Sequence, residues 1–495
     1  MLIYQVIATS VCVAILLNTL NNLRVLRRPD IQAPPASGPL VSILIPARNE
    51  ARAIARCVES LAQQDYPRCE ILVLDDQSED ATATIVDQLA QHYPHVQLIR
   101  GQPLPPDWHG KAYACAQLAQ AARGEWLLFV DADSVHAPAC VSTALRQAAE
   151  QRADLLTMMP TMTVGSFGEA LLVPTITLTF VTFLPLGLVT RHPSPLLAGA
   201  FGPFLLFRRD AYVRIGGHTA VRRDIVEDMQ LSRLVKRHGG RVAWIDGTAL
   251  MRVRLYHGHG EAWRGIGKSA FAAIDYSLPG LLLGLPACLV LFGGPYLLLM
   301  VGLVGHEISG VMTWLPLAQI LLLVLSQLLL MQRFHMPRAM AVLYAGTILA
   351  VVLVTLHSAY QTVLGTGVAW KGRTYQFDPQ RRGSRTRVSW ATELARVRML
   401  IALLLIVAGW RQEPPQVAVT LLLLGWTIAL FEHSTRKGTE SRLSLAADAA
   451  AALASLAYLQ LSGLLPAQLV LPTLLVLAVS TRWWSWHVVA AMASV

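Results

Sequence analysis

Charge is confined to one window of this chain. Most acidic and basic residues fall between about 22 and 275; residues 2–20 are uncharged and apolar, and long apolar runs return after 276. Of 495 residues, 54% are hydrophobic and 15% charged, where a soluble domain carries roughly 25% charged residues. A water-facing domain joined to membrane-spanning segments satisfies that division; a wholly soluble protein does not. The run at 2–20 is close to the ~20 residues that cross a bilayer. It has neither the basic start nor the small-residue cleavage site of a signal peptide, so it reads as an anchor. Further candidate spans lie at about 280–303, 314–331, 339–363, 399–411, 416–431, 445–462 and 466–480.

The net charge of +10 follows the same division. Arg24, Arg27 and Arg28 follow the first apolar run, and Lys371, Arg373, Arg381, Arg382, Arg385, Arg387, Arg396 and Arg398 follow a later one. Basic residues beside apolar spans mark the cytoplasmic side and attract anionic membrane lipids. This places the charged domain in the cytoplasm, at the plasma or inner membrane of the cell, with several spans. No nucleic-acid recognition motif accompanies the charge, so nucleic acid is not an expected partner. Arg333 and Arg338 also precede the span at 339–363, so the positive-inside rule and a single crossing there conflict. Six cysteines show no metal-binding spacing and fit small core residues in a reducing compartment.

Within the charged window, apolar runs alternate with helical patterns. Residues 41–46, 70–74, 96–99 and 126–130 read as buried strands, and 51–64, 81–92 and 110–122 as helices between them. Continuous apolar strands of this length predict an α/β domain on a mostly parallel sheet. Ligands bind beyond the carboxyl ends of such strands, and three of those ends carry the clusters PARNE, DDQSED and DADS. Residues 170–190 are uncharged but contain Pro174 and Pro185. They predict a helix lying in the membrane surface or buried in the fold.

Asp131 and Asp133 lie two residues apart beyond a strand, where alternate side chains share a side. Two converging carboxylates favour a hard cation such as Mg²⁺ or Mn²⁺, which binds carboxylate and phosphate oxygens together. Asp75 and Asp76 end another strand and suit a nucleotide's ribose or base; Ser78 or Asp80 suits a helix cap. Glu227 and Asp228 begin a helical pattern with Leu231, Leu234 and Val235 on its apolar face. Such a pair suits either a helix dipole or a general base with a shifted pKa. His257 and His259 suit a surface loop, and Trp483, Trp484 and Trp486 an interfacial belt.

Taken in order, PARNE, DDQSED, Gly110-Lys111, Asp131-Ala-Asp133 and Glu227-Asp228 resemble the family 2 glycosyltransferases of the GT-A fold. The stretch from Gly199 through Gly202, Arg208-Arg209-Asp210, Gly216-Gly217-His218 and Arg233 to Gly239 is similar to the acceptor half of that domain. Arg254-Leu255-Tyr256, Trp263, Gly265, Lys268 and Phe271, with Trp370-Lys371-Gly372-Arg373-Thr374-Tyr375, resemble its membrane-bound carotenoid- and hopanoid-associated branch. The resemblance covers about residues 40–375. It implies that Pro46, Ala47, Glu50, Asp75, Asp76, Lys111 and Asp131 hold a nucleotide-sugar. Asp133, with Asp131, would hold Mg²⁺ or Mn²⁺; Asp228, beside Glu227, would be the catalytic base. Gly202, Arg254, Trp263 and Lys268 would line the diphosphate and acceptor mouth. No QxxRW follows Glu227-Asp228, a departure from the processive polysaccharide synthases that favours a single transfer.

The expected architecture is an α/β GT-A catalytic domain plus an α-helical transmembrane domain. Its expected parts are a helix at 1–22, the catalytic domain at 40–275 with an interfacial segment near 165–190, and transmembrane helices at 278–365. A basic cytoplasmic segment at 366–398 and further hydrophobic helices at 399–495 complete it. The expected function is inverting transfer of a sugar from a nucleotide-sugar donor to a lipid-like acceptor of carotenoid, hopanoid or polyprenyl type. The alternatives are a processive polysaccharide synthase and a nucleotide-sensing membrane transporter. The latter predicts polar residues along the spans, which are nearly absent.

Overall fold

A computed structural model describes residues 1–35, 37–277, 279–306, 308–363 and 368–375. Of these, residues 1–276 and 284–375 belong to one compact unit. The apolar runs expected at 399–411, 416–431, 445–462 and 466–480, the basic residues beyond 375 and the tryptophans at 483–486 lie outside the described residues.

The chain begins with helix α1 (Leu2–Val25) and then builds β1 (Val41–Ala47), α2 (Ile54–Ala62), β2 (Cys69–Asp75), α3 (Thr82–His92), β3 (Val96–Arg100), α4 (Gly110–Ala121) and β4 (Trp126–Val130). Apolar side chains drive this half. Ile43, Leu44, Ile45, Ile71, Val73 and Leu74 are fully or almost fully buried, as strands covered on both faces must be. Helix α2 buries Ile54, Cys57, Val58 and Leu61, the i, i+3, i+4, i+7 stripe of a helix packed on one face. Strand β1 pairs parallel with β2 on one side and with β4 on the other, so a crevice opens at their carboxyl ends. Such a reversal of strand order is where open α/β sheets bind ligands.

The second half makes the sheet mixed. The remaining strands are β5 (Ser134–His136), β6 (Leu155–Met162), β7 (Phe204–Arg208) and β8 (Val242–Val253), and the full order is β3-β2-β1-β4-β7-β6-β8-β5. Four of its seven pairings are parallel, β6 with β8 among them, and three are antiparallel. Strand β7 runs antiparallel to both β4 and β6, and β5 antiparallel to β8. Pairing β7 directly against β4 brings residues 201–204 to the end of β4 that carries Asp131, and Asp131 N–H donates to Pro203 O at 3.4 Å. Helix α5 (Cys140–Glu150) lies between β5 and β6 in the chain.

The segment expected to lie in the membrane surface is two helices, α6 (Phe167–Phe183) and α7 (Leu186–Arg191). Proline 185 separates them, and Pro174 is accommodated inside α6. The Ser166 hydroxyl accepts from Glu169 N–H at the start of α6, a cap worth about 1 kcal/mol. The fold continues through α8 (Arg209–Arg214), α9 (Gly217–Ala220), α10 (Glu227–Arg237) and α11 (His259–Ala273).

Among the described residues, four helices are long and apolar enough to cross a membrane: Leu2–Val25, Gly280–Val304, Gly310–Arg333 and Tyr344–Val363. Polar contacts tie the α/β domain to them. Asp246 on β8 is fully buried and pairs with Arg333 Nε at 2.6 Å, with Arg28 at 3.8 Å. Asn22 of α1 donates to Val181 O at 2.8 Å and Leu184 O at 2.7 Å, and accepts from Leu186 N–H at 2.9 Å.

Glu169 is the other tie. Almost fully buried, it accepts from Gly165 N–H at 2.7 Å and Gly258 N–H at 2.6 Å and pairs with Arg254 at 3.3 Å. Truncating it leaves two amide donors unsatisfied, each costing about 1–3 kcal/mol when buried. Glu169→Ala is therefore expected to lower stability by at least ~2 kcal/mol, read as a reduced thermal-unfolding midpoint of the detergent-purified protein. An unchanged midpoint would show that water replaces the carboxylate.

Candidate active site

Three loops converge at the carboxyl ends of β1, β2 and β4. The turn after β1 is laced to the turn after β2. Asn49 N–H donates to Ser78 Oγ at 3.0 Å, Asn49 Oδ1 accepts from Glu79 N–H at 2.9 Å, and Glu50 N–H donates to Thr82 Oγ1 at 2.8 Å. Both turns use left-handed residues, Asn49 with φ 53° and Gln77 with φ 56°. Asp80 accepts from Thr82 N–H at 3.0 Å, so it takes the capping role and leaves Asp76 for the cleft.

These loops line one cleft of about 270 Å³ with the start of α10, the start of α4, the 201–203 segment and the inner face of α11. Pro46, Ala47, Glu50, Asp76, Lys111, Asp131, Asp133, Gly202, Glu227, Asp228 and Lys268 all face it. Of the residues singled out from the sequence, three lie elsewhere among the described lining. Asp75 is buried beside Asp76 without facing the cleft. Arg254 is committed to Glu169, and Trp263 Nε1 donates to His357 Nδ1 at 3.0 Å. Both help seat α11 and α6 instead of lining the mouth.

Lys111 bridges the two halves. Its ammonium lies 2.8 Å from Asp131 Oδ1 and 2.9 Å from Glu227 Oε1. Burial pulls its pKa down, but those two carboxylates outweigh it and hold it well above the usual lysine value. Glu227 in turn stays below its usual value, because Lys111 offsets the cost of burial.

The neighbouring acids behave in the opposite way. Asp228 is pushed up to about 6 by burial and by Glu227 beside it, although Met229 N–H at 2.7 Å and Gly202 N–H at 2.8 Å stabilise its charge. Position 202 must be glycine for this: a Cβ there would sit 3.0 Å from Asp228 Oδ2. Asp133 is pushed up to about 8 by burial, by Asp131 and by Glu50. Its Oδ1 is buried with no hydrogen-bond partner. Two adjacent acids, one held ionised and one raised toward neutrality, are the pattern of a site with divided acid–base roles.

A divalent cation fits this donor set. The orphaned oxygen of Asp133 and the adjacent Asp131 offer two carboxylates. No group of three or more His, Cys, Asp or Glu suited to a metal occurs among the described residues. Mg²⁺-type sites commonly use one or two carboxylates and take their remaining ligands from water and substrate phosphates, so the set suits a cation that arrives with a phosphorylated substrate.

Sequence reasoning missed several cleft residues: Arg48, His109, Asp224, Tyr256, Lys371 and Arg373. The last two had been absorbed into the basic run after an apolar span. The glycine at 372 between two short segments was the available signal, because two-residue hairpin turns need positive φ and favour glycine. Lys371 pairs with Glu50 and Arg373 with Asp76.

Residues 42–216 match the family described as Glycosyl transferase family 2. Among curated proteins, the chain is 28% identical over 221 residues to a 4,4'-diaponeurosporenoate glycosyltransferase of Staphylococcus haemolyticus, covering 44% of this chain and 56% of the relative. The like-named protein of Staphylococcus aureus is 28% identical over 223 residues, again 44% and 56%. The chain thus spans about half the length of these relatives. Among solved structures, a mannosyltransferase from Pyrobaculum calidifontis in complex with GDP-Man and Mn²⁺ aligns at 19% identity and TM-score 0.44, over 71% of this chain and 99% of the other. TarS of Staphylococcus aureus in complex with UDP aligns at 16% identity and TM-score 0.33, over 68% and 94%. Residues 42–216 of the chain are thus similar to family 2 glycosyltransferases, and they lie within an eight-stranded mixed sheet.

Proposed function

We propose that the protein is an inverting glycosyltransferase that moves a sugar from a nucleotide-sugar donor to a lipid-like acceptor at the cytoplasmic face of a membrane. One observation carries this reading. A half-buried carboxylate with a raised pKa, Asp228, lines the same cleft as the Asp131–Asp133 pair, and Lys111 joins the two sides.

The donor's nucleoside fits against Asp76 and the turn after β1, and its diphosphate toward Asp131 and Asp133. Those two residues would hold Mg²⁺ or Mn²⁺, which neutralises charge on a leaving nucleoside diphosphate. Asp228, fixed by two backbone amides, accepts the proton from the acceptor hydroxyl. The acceptor oxygen bonds to the anomeric carbon, and the bond from that carbon to the diphosphate oxygen breaks. Lys111 holds the pKa of Glu227 low and so makes it a weak base, whereas Asp228, raised to about 6, is the stronger base and is ionised at neutral pH.

A lipid-like acceptor is supported by what the cleft wall touches. Gly265, Lys268 and Ser269 of α11 line the cleft. On its other contacts α11 packs against the apolar helix Tyr344–Val363, through Trp263–His357 and Phe271 N–H to Ser358 Oγ at 3.2 Å. An acceptor whose body stays beside the apolar helices reaches the base with its polar end. The relatives named for diaponeurosporenoate transfer agree with an acceptor of this kind. If the relevant apolar helices span the membrane, the arginines after α1 place the domain in the cytoplasm.

The donor is identified by a thermal-shift screen of purified protein with Mn²⁺ against UDP-, GDP- and dTDP-sugars, since binding to the folded state raises its stability. With that donor, transfer is scored as labelled sugar entering the lipid phase. Asp133→Asn is expected to abolish transfer while the protein remains folded; full turnover would refute its role. Asp228→Asn is expected to slow transfer at least ~100-fold with donor affinity retained. Parallel loss of donor affinity would move Asp228 into the donor site. The pH profile gives a further check. The basic form of Asp228 is the active one, and its pKa is raised to about 6. The rate constant kcat/KM should therefore fall progressively as pH drops below about 6 and level off above it. A flat profile from pH ~5 to ~8 would exclude a base with this ionisation.

A further inference from the structure

The hairpin after helix Tyr344–Val363 is absent from the expected site, yet its tip lies in the cleft. Strands β9 (Val368–Trp370) and β10 (Arg373–Tyr375) pair antiparallel, with Arg373 opposite Trp370, so Lys371 and Gly372 form the two-residue turn. Their φ angles are 46° and 78°. Turns of this kind need positive φ at both central residues and favour asparagine, aspartate or glycine. Gly372 meets that need. Lys371 does not, and a non-glycine residue held in the left-handed region points to a role for its side chain.

The tip is firmly placed. Arg373 pairs with Asp76, with Nη2 donating to Oδ1 at 3.0 Å. Arg48 Nε donates to Lys371 O at 2.9 Å, and Arg48 Nη1 to Asp76 O and Gln77 O at 2.7 Å each. These contacts fix the turn backbone on the turns after β1 and β2, and leave Lys371 as the residue aimed at Glu50. Its positive charge is felt by Asp133 and by Lys268 as well as Glu50. An ammonium has three donors, so a bond to Glu50 does not exhaust it.

We propose that Lys371 binds the diphosphate of the nucleotide-sugar donor, and that the Arg373–Asp76 pair and Arg48 position it there. This deepens the glycosyltransferase reading and rests on it. Lys111, beside the Asp131–Asp133 pair, is shared between two carboxylates, whereas Lys371 brings a cation from outside the sheet to the mouth of the same cleft. Donor binding would thereby bridge the α/β domain and the hairpin that follows an apolar helix. Arg373 touches the nucleoside-side carboxylate and is a positioning residue.

The test is calorimetric titration of the full-length, detergent-purified protein with UDP and GDP in Mn²⁺, and with uridine and guanosine as controls. For whichever base binds, Lys371→Ala should weaken the diphosphate at least tenfold and leave the nucleoside within twofold. Lys371→Arg, which keeps the charge, should recover most of that loss, and Arg373→Ala should weaken the diphosphate in the same direction. Undiminished diphosphate binding by Lys371→Ala would overturn the proposal. So would equal loss of nucleoside and diphosphate, which would make Lys371 a shaper of the turn. Wild-type protein that binds neither UDP nor GDP, although it binds another nucleotide, would leave that nucleotide's diphosphate as the ligand to titrate, with the same two outcomes deciding. Binding of no nucleotide at all would overturn the glycosyltransferase reading and this proposal with it.

Discussion

Lys111 between Asp131 and Glu227 is the contact on which the rest of the site depends. Glu50, Asp76, Asp131, Asp133, Glu227 and Asp228 all face one small cleft, and in a poorly solvated space such carboxylates repel one another strongly. A single ammonium, 2.8 and 2.9 Å from one acid of each group, holds Glu227 below its usual pKa. Its side chain is 38% exposed to the cleft, so water screens the attraction until a substrate fills the space. Glu50, Asp133 and Asp228 are instead pushed up, chiefly by burial, and this unequal division is what gives Asp228 and Asp133 different chemistry from Glu227.

The sheet makes that bridge possible. Its parallel half ends at Ala47, Asp75 and Val130, and every strand end there delivers a polar turn. Its antiparallel half, entered through β7 pairing against β4, carries the chain back so that residues 201–203 and the start of α10 meet those turns. Neither half has both the phosphate-facing acids and the base. Lys111, at the start of α4, lies where the two meet, and Gly202 lets the 201–203 backbone come close enough for its amide to hold Asp228.

How far the sequence reveals this depends on how local the signal is. Strands β1, β2 and β4 are largely apolar runs followed by the polar clusters PARNE, DDQSED and DADS, so both their positions and the polar ends they present can be read directly. The strands of the second half cannot: β6 contains Pro160 and several Met and Thr residues, and its parallel pairing with β8 slips at Pro160/Thr161. Helix α6 has almost uniform apolarity and an internal proline, so no period distinguishes burial from a membrane span. Asp228 is visible as an acid near a helix start, but one of its two amide donors, Gly202 N–H, comes from 26 positions away. Lys371 and Arg373 were hidden for another reason: a basic residue after an apolar run has a sufficient explanation in membrane topology.

The same ambiguity explains why the catalytic and apolar parts are so closely joined. Asp246 on β8 takes its cations from Arg333 and Arg28, which end an apolar helix and follow α1 respectively. Asn22 and Glu169 seat α6 and α7 against that assembly. Each of these ties buries a polar group that is costly unless paired, so the α/β domain cannot shift against the helices without leaving charges or amides unsatisfied. A site assembled this way holds its base at a fixed depth relative to the apolar helices. For the lipid-like acceptor proposed above, that fixed depth would do what a binding pocket does for a soluble substrate, bringing the reactive end to Asp228 without enclosing the rest of the molecule.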